Sequence, residues 1–517
     1  MSEESRVTGV AEQPASPVAT ARAPGESRII AGRGGRFWIL TASVVLIFMT
    51  GMEGTVVATA MPTIISQLGG FELFSWVFSG YYLAQGVTIP IYGRLADLYG
   101  RKRILFFGLI VFVIGTTACG LAPNMLWLVI FRVVQGIGAG AVQPINQTLI
   151  GDLYAPAQRA KMAGFFSGIW GIAAIVGPVL GAFVIATFAW NWVFWISVPV
   201  AFVGFALLAF ALHERIEHRQ HRIDYLGALM MALGIGLILY TLIQAHHFSI
   251  STVLLLLLLA AAIMVALVIH ERRVPEPILP LTLWRNRVIF SAVFGCFGVG
   301  CVVMASTTFL PAYIQGVMGR SPIIAGYALA ISSVTWIAGS WAGGQIMLRA
   351  SYRASTNVGG VFLVAGIAML IALDPSRGPL WAATGTGLVG IGMGLNQNTY
   401  TVAAQSVVDW SQRGTATAII SLMRMLGQTV GTAIYGAVVN LTLANMLGDN
   451  AVDRILDPNL RNKLSPAEVA PVMAGIGDAV QNVYWTAGLL VLMIIIAGAA
   501  LPKGLSPTNT PAGRIRR

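Results

Sequence analysis

Three charged side chains lie inside long apolar runs of this sequence, where a charge is costly and usually functional. They are Glu53, Arg132 and Arg424, and Glu53 is the one acidic residue that lies well within such a run. A carboxylate in surroundings of low dielectric constant can hold either a proton or an organic cation, and this exclusivity could exchange one for the other. We predict that Arg132 tunes the acidity of Glu53 or stabilises its deprotonated form, so that the pair couples transport to protons.

Polar residues accompany both arginines at helical spacing. At about 100° per residue, Gln135, Gln143 and Asn146 all lie within roughly 60° of Arg132, and such an arc must face a cavity or another helix. A similar cluster surrounds Arg424, although hydrogen bonding for helix packing alone remains an alternative. The predicted lining of a substrate cavity comprises Tyr81, Tyr82, Gln135, Asn146, Trp170, Trp336, Asn396, Tyr400, Arg424 and Gln428.

The elements that must position these residues are membrane-spanning helices. Of 517 residues, 56% are hydrophobic and 10% charged, and the mean hydropathy is +0.77. Soluble proteins carry roughly a quarter charged residues, so we predict an all-α polytopic membrane protein. A span needs about 20 mostly apolar residues. Such runs occur at about 37–61, 74–93, 104–122, 126–150, 162–187, 192–212, 225–245, 252–270, 288–315, 322–348, 357–373, 380–405, 415–440 and 481–501.

The distribution of basic residues predicts the orientation of these fourteen spans. With the N-terminus inside, 25 of the 32 Lys and Arg residues fall in inside segments, so both termini are expected in the cytoplasm. The net charge of +12 then reflects contact with anionic lipid headgroups and not with nucleic acid. We expect disordered cytoplasmic tails at 1–36 and 502–517. Residues 441–480 should form an outside loop, in which 466–479 make a short amphipathic helix on the membrane surface.

Several other classes of protein are excluded by what the sequence lacks. Without a GxxxxGK[ST] phosphate loop, the simplest energy source is an ion gradient, and no cofactor is predicted. His213, His218 and His221 superficially resemble metal ligands, but a cationic linker at the membrane interface is favoured, and no metal is predicted. A membrane enzyme would need a cluster of nucleophiles or acids at one depth, and a sensor would need a soluble output domain.

The connection between the second and third spans carries a specific motif, the stretch GRLADLYGRKR that starts at Gly93. Its small residues let two helices close over a short turn, while Asp97 can cap a helix or pair with an arginine. The stretch resembles the cytoplasmic signature of the major facilitator superfamily, G-x-L-a-D-r-x-G-r-k-r, with Leu98 in place of the usual basic residue. The resemblance implies that Gly93, Asp97, Gly100 and Arg101 form a conformational switch.

Three further motifs agree with this resemblance in order and spacing. The stretch RVVQGIGAG that starts at Arg132 is similar to a fourth-span motif whose arginine is linked to proton transfer. Gly177, Pro178 and Gly181 match the G-P-x-x-G end of the antiporter motif on the fifth span. The stretch from Glu53 to the proline at position 62 resembles the first-span motif of the fourteen-span drug:proton antiporters, with glutamate in place of their usual aspartate.

The resemblance covers residues 37–501 and implies a fold as well as an activity. The family's fold consists of two six-helix bundles, here 37–212 and 288–501, with two inserted helices and cytoplasmic linkers between them at 213–287. The implied activity is proton-coupled antiport that exports hydrophobic or cationic drugs across the cytoplasmic membrane by alternating access, and we expect a monomer. Two alternatives remain open: export of an amphiphile such as a fatty acid, lipid or siderophore, and proton-driven solute symport.

Overall fold

A computed structural model describes residues 28–29, 33–153, 156–215, 224–244, 248–274, 277, 283–408, 413–444 and 466–503 of the chain. Within these ranges the N-terminal half is built from α-helices and begins with a two-residue strand, β1 (Arg28–Ile29). Its helices are α1 (Arg33–Leu68), α2 (Phe74–Tyr99), α3 (Arg101–Gly120), α4 (Met125–Ala139), α5 (Val142–Leu153), α6 (Pro156–Thr187), α7 (Trp192–Trp195) and α8 (Ser197–Ala211).

A second short strand, β2 (Glu214–Arg215), follows α8 and precedes the remaining helices. These helices are α9 (Tyr225–Ile243), α10 (Ile250–Glu271), α11 (Arg287–Ala312), α12 (Pro322–Arg349), α13 (Tyr352–Ile371), α14 (Gly378–Ser406), α15 (Arg413–Ala444) and α16 (Pro466–Ala500). Short 3₁₀ turns lie at Phe71–Leu73, Leu283–Arg285 and Pro375–Arg377, and a π-helical turn at Tyr313–Val317 continues α11.

Each of the fourteen predicted spans corresponds to one helix or to one pair of helices in the described part of the chain. Eleven of them are long and apolar enough to cross a membrane by length and composition. The other three are α2, α14 and α15, whose hydropathy is lowered by the polar residues they carry. The prediction of an all-α polytopic membrane protein is therefore confirmed.

Two spans that were expected to be continuous are interrupted, and proline explains both breaks. The fourth span divides into α4 and α5 around Gly140, four residues before Pro144. The sixth divides into α7 and α8 at Ile196. The residue four positions before Pro199 is Trp195, directly before this break. A proline donates no backbone hydrogen bond, and its ring clashes with the carbonyl four residues earlier, so each helix breaks close to that carbonyl.

The prediction of a separate surface helix at 466–479 is wrong. Residues 466–500 form one helix, α16, and Val472, Ile476 and Val480 on it are all at least 96% buried. Four-residue spacing aligns them on one face, and that face packs into the protein instead of lying on the membrane. The connection predicted at 441–480 is correspondingly shorter, since α15 extends to Ala444 and α16 begins at Pro466. Residues 445–465 lie outside the described ranges.

The expected disordered tail at 1–36 also needs correction at its C-terminal end. Residues 33–36 are the first turn of α1, and β1 pairs antiparallel with β2, with Arg28 opposite Arg215. This pairing satisfies backbone groups of both segments and joins the region before α1 to the end of α8. Residues 1–27 and 504–517, where the rest of the predicted tails falls, lie outside the described residues.

The helices pack as two groups with α9 and α10 beside them. In the first group α1 contacts α6 and α8, and α4 contacts α2 and α3; in the second α14 contacts α12 and α13, and α11 contacts α15 and α16. The two groups meet through α6 against α12, α2 against α15, and α1 against α11. Helix α9 touches both α2 and α15, whereas α10 packs mainly on α9 and leaves most of its leucines exposed, as expected for a lipid-facing helix.

Candidate transport and coupling site

The centre of the N-terminal group holds a buried ion pair between Glu53 on α1 and Arg132 on α4. Arg132 Nη1 donates to Glu53 Oε1 at 3.1 Å, and Gln135 Nε2 donates to the same oxygen at 2.7 Å. Ser197 Oγ, at the start of α8, donates to Glu53 Oε2 at 2.9 Å. Helices α1, α4 and α8 thus each contribute to one carboxylate, which is only 1% exposed.

Further contacts fix the arginine and the glutamine of this network. Arg132 Nε donates to the carbonyl of Val77 on α2 at 3.1 Å, and its guanidinium carbon lies 3.9 Å from the centre of the Tyr81 ring. Gln135 accepts from Arg132 Nη1 at 2.6 Å and donates to Thr116 Oγ1 on α3 at 2.6 Å. Packing of a guanidinium on an aromatic face stabilises the charge, so Tyr81 supports Arg132 in this conformation.

The arrangement encloses Glu53, so that a cation cannot reach its carboxylate directly in this conformation. Its two oxygens already accept three hydrogen bonds, and all its partners are themselves buried. A buried charge is tolerated when it is paired and hydrogen-bonded. Protonation would cancel the charge that Arg132 balances, so gain or loss of one proton must alter contacts on helices α1, α4 and α8 together.

Sequence reasoning did not select Ser197 or Thr116 for this site. Ser197 begins α8, and Thr116 stands beside a second threonine in the mostly apolar α3. A single hydroxyl in such a helix often bonds to its own backbone, so nothing local marks these two residues.

A second charged centre lies across the interface between the two groups. Tyr82 on α2 is close enough to act electrostatically with Glu53 and Arg132 on one side and with Arg424 of α15 on the other. Gly54 on α1 makes room for it, since a Cβ at that position would collide with the Tyr82 hydroxyl. Gln428 follows Arg424 by one helical turn and is 7% exposed. Tyr82, Arg424 and Gln428 thus lie near the middle of the molecule, and their contact with substrate stays a prediction.

Two predicted cavity residues, Tyr400 and Asn396, lie against other helices of the C-terminal group. Tyr400 is fully buried and its hydroxyl donates to the carbonyl of Ile494 on α16 at 2.7 Å. Asn396 Nδ2 donates to the carbonyl of Gly392 at 2.8 Å, and the side chain lies against Gly359 on α13. Contact of these two residues with substrate stays a prediction, because helical spacing does not reveal which neighbour a polar face meets.

The remaining predicted cavity residues occupy more varied surroundings. Trp170 on α6 is partly buried against Gly51 of α1, and Trp336 on α12 is partly buried near α14. Asn146 on α5 is fully buried, and neither atom of its amide has a hydrogen-bond partner in the described part of the chain. Their proposed contact with substrate stays a prediction.

The turn between α2 and α3 shows why the switch motif requires glycine. Gly100 ends α2 and precedes α3 with a φ of +92°, which an L side chain rarely adopts, whereas Gly93 lies within α2 in open space. Lys102 Nζ donates to the carbonyls of Ala209 and Leu212 at the end of α8, both at 2.8 Å. The negative end of the α8 helix dipole stabilises a lysine ammonium in this position. The side chain of Asp97 lies outside the described residues.

The antiporter motif on α6 lies between the two groups of helices. A Cβ on Gly177 would collide with Thr55 Oγ1 of α1, and one on Gly181 would lie 2.8 Å from the carbonyl of Val56. On the opposite side, a Cβ on Gly326 of α12 would lie 2.7 Å from the carbonyl of Pro178. The backbone of α6 therefore contacts α1 and α12 as closely as helices can pack.

Proline 178 also creates a hydrogen bond between the groups. Because it has no N–H, the carbonyl of Ala174, four residues earlier, loses its partner within α6. Ser333 Oγ on α12 donates to that carbonyl at 2.8 Å. The residue that bends α6 thus also ties it to the C-terminal group, a contact that the motif alone does not predict.

Comparison with known proteins identifies the family. The sequence model of the Major Facilitator Superfamily matches residues 43–432. The chain belongs to this superfamily. It is therefore a membrane transporter and not an enzyme, as the motifs predicted.

Members of the superfamily named as multidrug transporters are among its relatives. Multidrug resistance protein 3 of Bacillus subtilis (strain 168) is 34% identical over 486 residues, which cover 90% of this chain and 94% of that protein. The multidrug transporter protein MdtP of the same organism is 32% identical over 421 residues, covering 81% and 78% respectively.

Solved structures of the superfamily confirm the fold. A bacterial homologue of the human lysosomal transporter Spinster, in an inward-facing and unoccupied conformation, matches with a TM-score of 0.64 over 91% of this chain and 98% of that one, at 15% identity. A D-xylose–proton symporter matches with a TM-score of 0.59 at 14% identity, covering 92% and 99%. These likenesses support the fold alone.

Proposed function

We propose that this transporter is a proton-coupled antiporter that exports hydrophobic or cationic compounds across the cytoplasmic membrane by alternating access. The observation that carries the proposal is the enclosed pair of Glu53 and Arg132 with Gln135 and Ser197. The names of the multidrug relatives support the substrate class.

The proposed coupling follows from the geometry of the pair. With Glu53 ionised, its hydrogen bonds draw α1, α4 and α8 together. A proton on Glu53 removes the attraction to Arg132 and leaves the guanidinium to find other partners, so the two protonation states favour different packings of these helices. Substrate binding that favours one packing would then release or take up a proton.

Contacts between the two groups support alternating access. Ser79 Oγ on α2 donates to the carbonyl of Thr429 on α15 at 3.2 Å, and Gln315 Nε2 donates to the carbonyl of Thr59 on α1 at 3.2 Å. These bonds lie on the half of the molecule away from the start of α1. If both termini are cytoplasmic, as we propose from the positive charges, the bonds close the outer side.

The function can be tested in everted membrane vesicles from a host without its own pumps. With an imposed pH gradient, rhodamine 6G or ethidium should cause proton release that depends on this protein and disappears with a protonophore. A susceptibility panel with cationic dyes, detergents, fatty acids and bile-like anions would define the substrate range. Accumulation of substrate against its gradient without any proton movement would contradict the proposal.

The switch motif provides a separate prediction. Asp97→Asn and Arg101→Ala should leave the amount of protein in the membrane unchanged and lower the export rate at least about tenfold, because their turn joins helices that must re-form contacts in each cycle. Immunoblots of the membrane fraction and dye efflux measure the two quantities. Normal efflux by both variants at normal protein level would exclude a switching role.

A further inference from the structure

Arg424 differs from Arg132 in having no counter-charge. It lies on α15, eleven residues after the helix begins, and its side chain is only partly buried. Among the residues that the structure describes, none forms a hydrogen bond or ion pair with this guanidinium. Arg132, in contrast, is fully buried and paired with Glu53.

The groups around Arg424 cannot neutralise it. Those that act on its charge are the Cys296 thiol of α11 and the Tyr82 hydroxyl of α2. Thiols and phenols are neutral at physiological pH, because their unperturbed pKa values are about 8.5 and 10. The Glu53 carboxylate beyond Tyr82 is already engaged by Arg132. Within the described part of the chain, no counter-charge therefore compensates Arg424.

The surroundings of Arg424 are built to hold it in place. Gly300 of α11 lies directly against the Arg424 carbonyl, where any Cβ would collide, so α11 and α15 pack backbone to backbone at this level. Gln428, one turn further on the same face of α15, adds an amide that can donate or accept. Tyr82, from the other group of helices, brings its hydroxyl close enough to act on the charge of Arg424.

We propose that Arg424 binds the anionic group of an amphiphilic substrate that carries a carboxylate or another oxyanion. The inference rests on the proposed export function and narrows its substrate class. An arginine within a membrane is costly without an anion, and its planar guanidinium matches a carboxylate through two parallel hydrogen bonds. The transporter should thus prefer zwitterionic or anionic amphiphiles to simple cations of the same shape.

Rhodamine 19 and its ethyl ester rhodamine 6G form a suitable probe pair, because they differ by one free carboxylate. Fluorescence anisotropy would measure the Kd of each dye for the full-length protein in nanodiscs of phosphatidylcholine alone, which excludes anionic lipid as an occupant. The variants are Arg424→Gln, Arg424→Lys and, as a matched control outside the spans, Arg320→Gln.

We expect the wild type to bind rhodamine 19 more tightly than rhodamine 6G. Arg424→Gln should weaken binding of rhodamine 19 about tenfold or more and leave rhodamine 6G unchanged or tighter. Arg424→Lys should have an intermediate Kd for rhodamine 19, since lysine keeps the charge but cannot form the two parallel hydrogen bonds of a guanidinium. Arg320→Gln should bind both dyes as the wild type does. If Arg424→Gln does not fold, the inference is tested by the wild type alone, which should bind rhodamine 19 more tightly than rhodamine 6G.

Two results would overturn the inference: equal binding of the two dyes by the wild type, or equal loss of both in Arg424→Gln. Neither result bears on proton-driven export of rhodamine 6G in vesicles. Conversely, an Arg424-dependent preference for the free acid, without proton release during transport, would contradict the export proposal alone.

Discussion

Glu53→Gln is expected to abolish proton release driven by substrate while exchange of substrate across the membrane continues. The amide oxygen can still accept from Arg132 and Gln135, and the amide nitrogen can donate to the Ser197 hydroxyl, so the shape of the network is kept. The titratable proton is lost, and the transporter can no longer alternate between two charge states. Proton release from everted vesicles and counterflow of labelled substrate measure the two activities separately.

Glu53→Asp is the matched control, since it keeps a titratable group. Its side chain is one methylene shorter and cannot reach both Arg132 and Ser197 as glutamate does, so partial activity is expected. Removing one member of a buried ion pair costs about 3–5 kcal/mol, and thermal stability should therefore be measured with Glu53→Gln. If Glu53→Gln released protons at the native rate, the coupling residue would have to be a boundary acid such as Asp97 or Asp152, or the driving ion would not be a proton.

The spanning helices could be predicted from the sequence because their signals are local. The length and composition of an apolar run decide whether it can cross a membrane, and α10 shows this most simply, with its leucines facing outward. Glu53 and Arg132 could also be selected as candidate site residues from the sequence, because few charged residues lie inside such apolar runs. What remained hidden was the set of partners, since Ser197 and Thr116 resemble any other hydroxyl in an apolar helix.

Errors in the prediction arose where one local pattern fits two environments. The apolar spacing of Val472, Ile476 and Val480 suits a helix on a membrane surface as well as one that packs into a bundle. Similarly, the sequence alone does not show that Asn396 lies against α13 or that Tyr400 bonds to α16. Only the positions of the neighbouring helices distinguish these cases.

Gly177→Leu is expected to abolish export, because α6 has no room for a side chain at this position. Even a Cβ would collide with Thr55 Oγ1 and lie 3.1 Å from the carbonyl of Met52 on α1. Moving α6 away from α1 would push it against α12, where even a Cβ on Gly326 would lie only 2.7 Å from the Pro178 carbonyl. Overpacking costs about 1–3 kcal/mol where neighbours can shift, and here a backbone carbonyl lies close to α6 on each side, besides the Thr55 hydroxyl. Dye efflux and protein level in the membrane are the measurements.

Gly168→Leu on the same helix is the control, since a Cβ there meets nothing within 4 Å. It should export at the native rate and show that a leucine in α6 is harmless by itself. Gly177→Ala should be intermediate, and adding Thr55→Ala should restore part of its activity, because the Thr55 hydroxyl is the nearest obstacle. Native export by Gly177→Leu would mean that α1 and α6 separate at this level during transport. Equal loss in Gly168→Leu would mean that the defect comes from α6 insertion and not from its contact with α1.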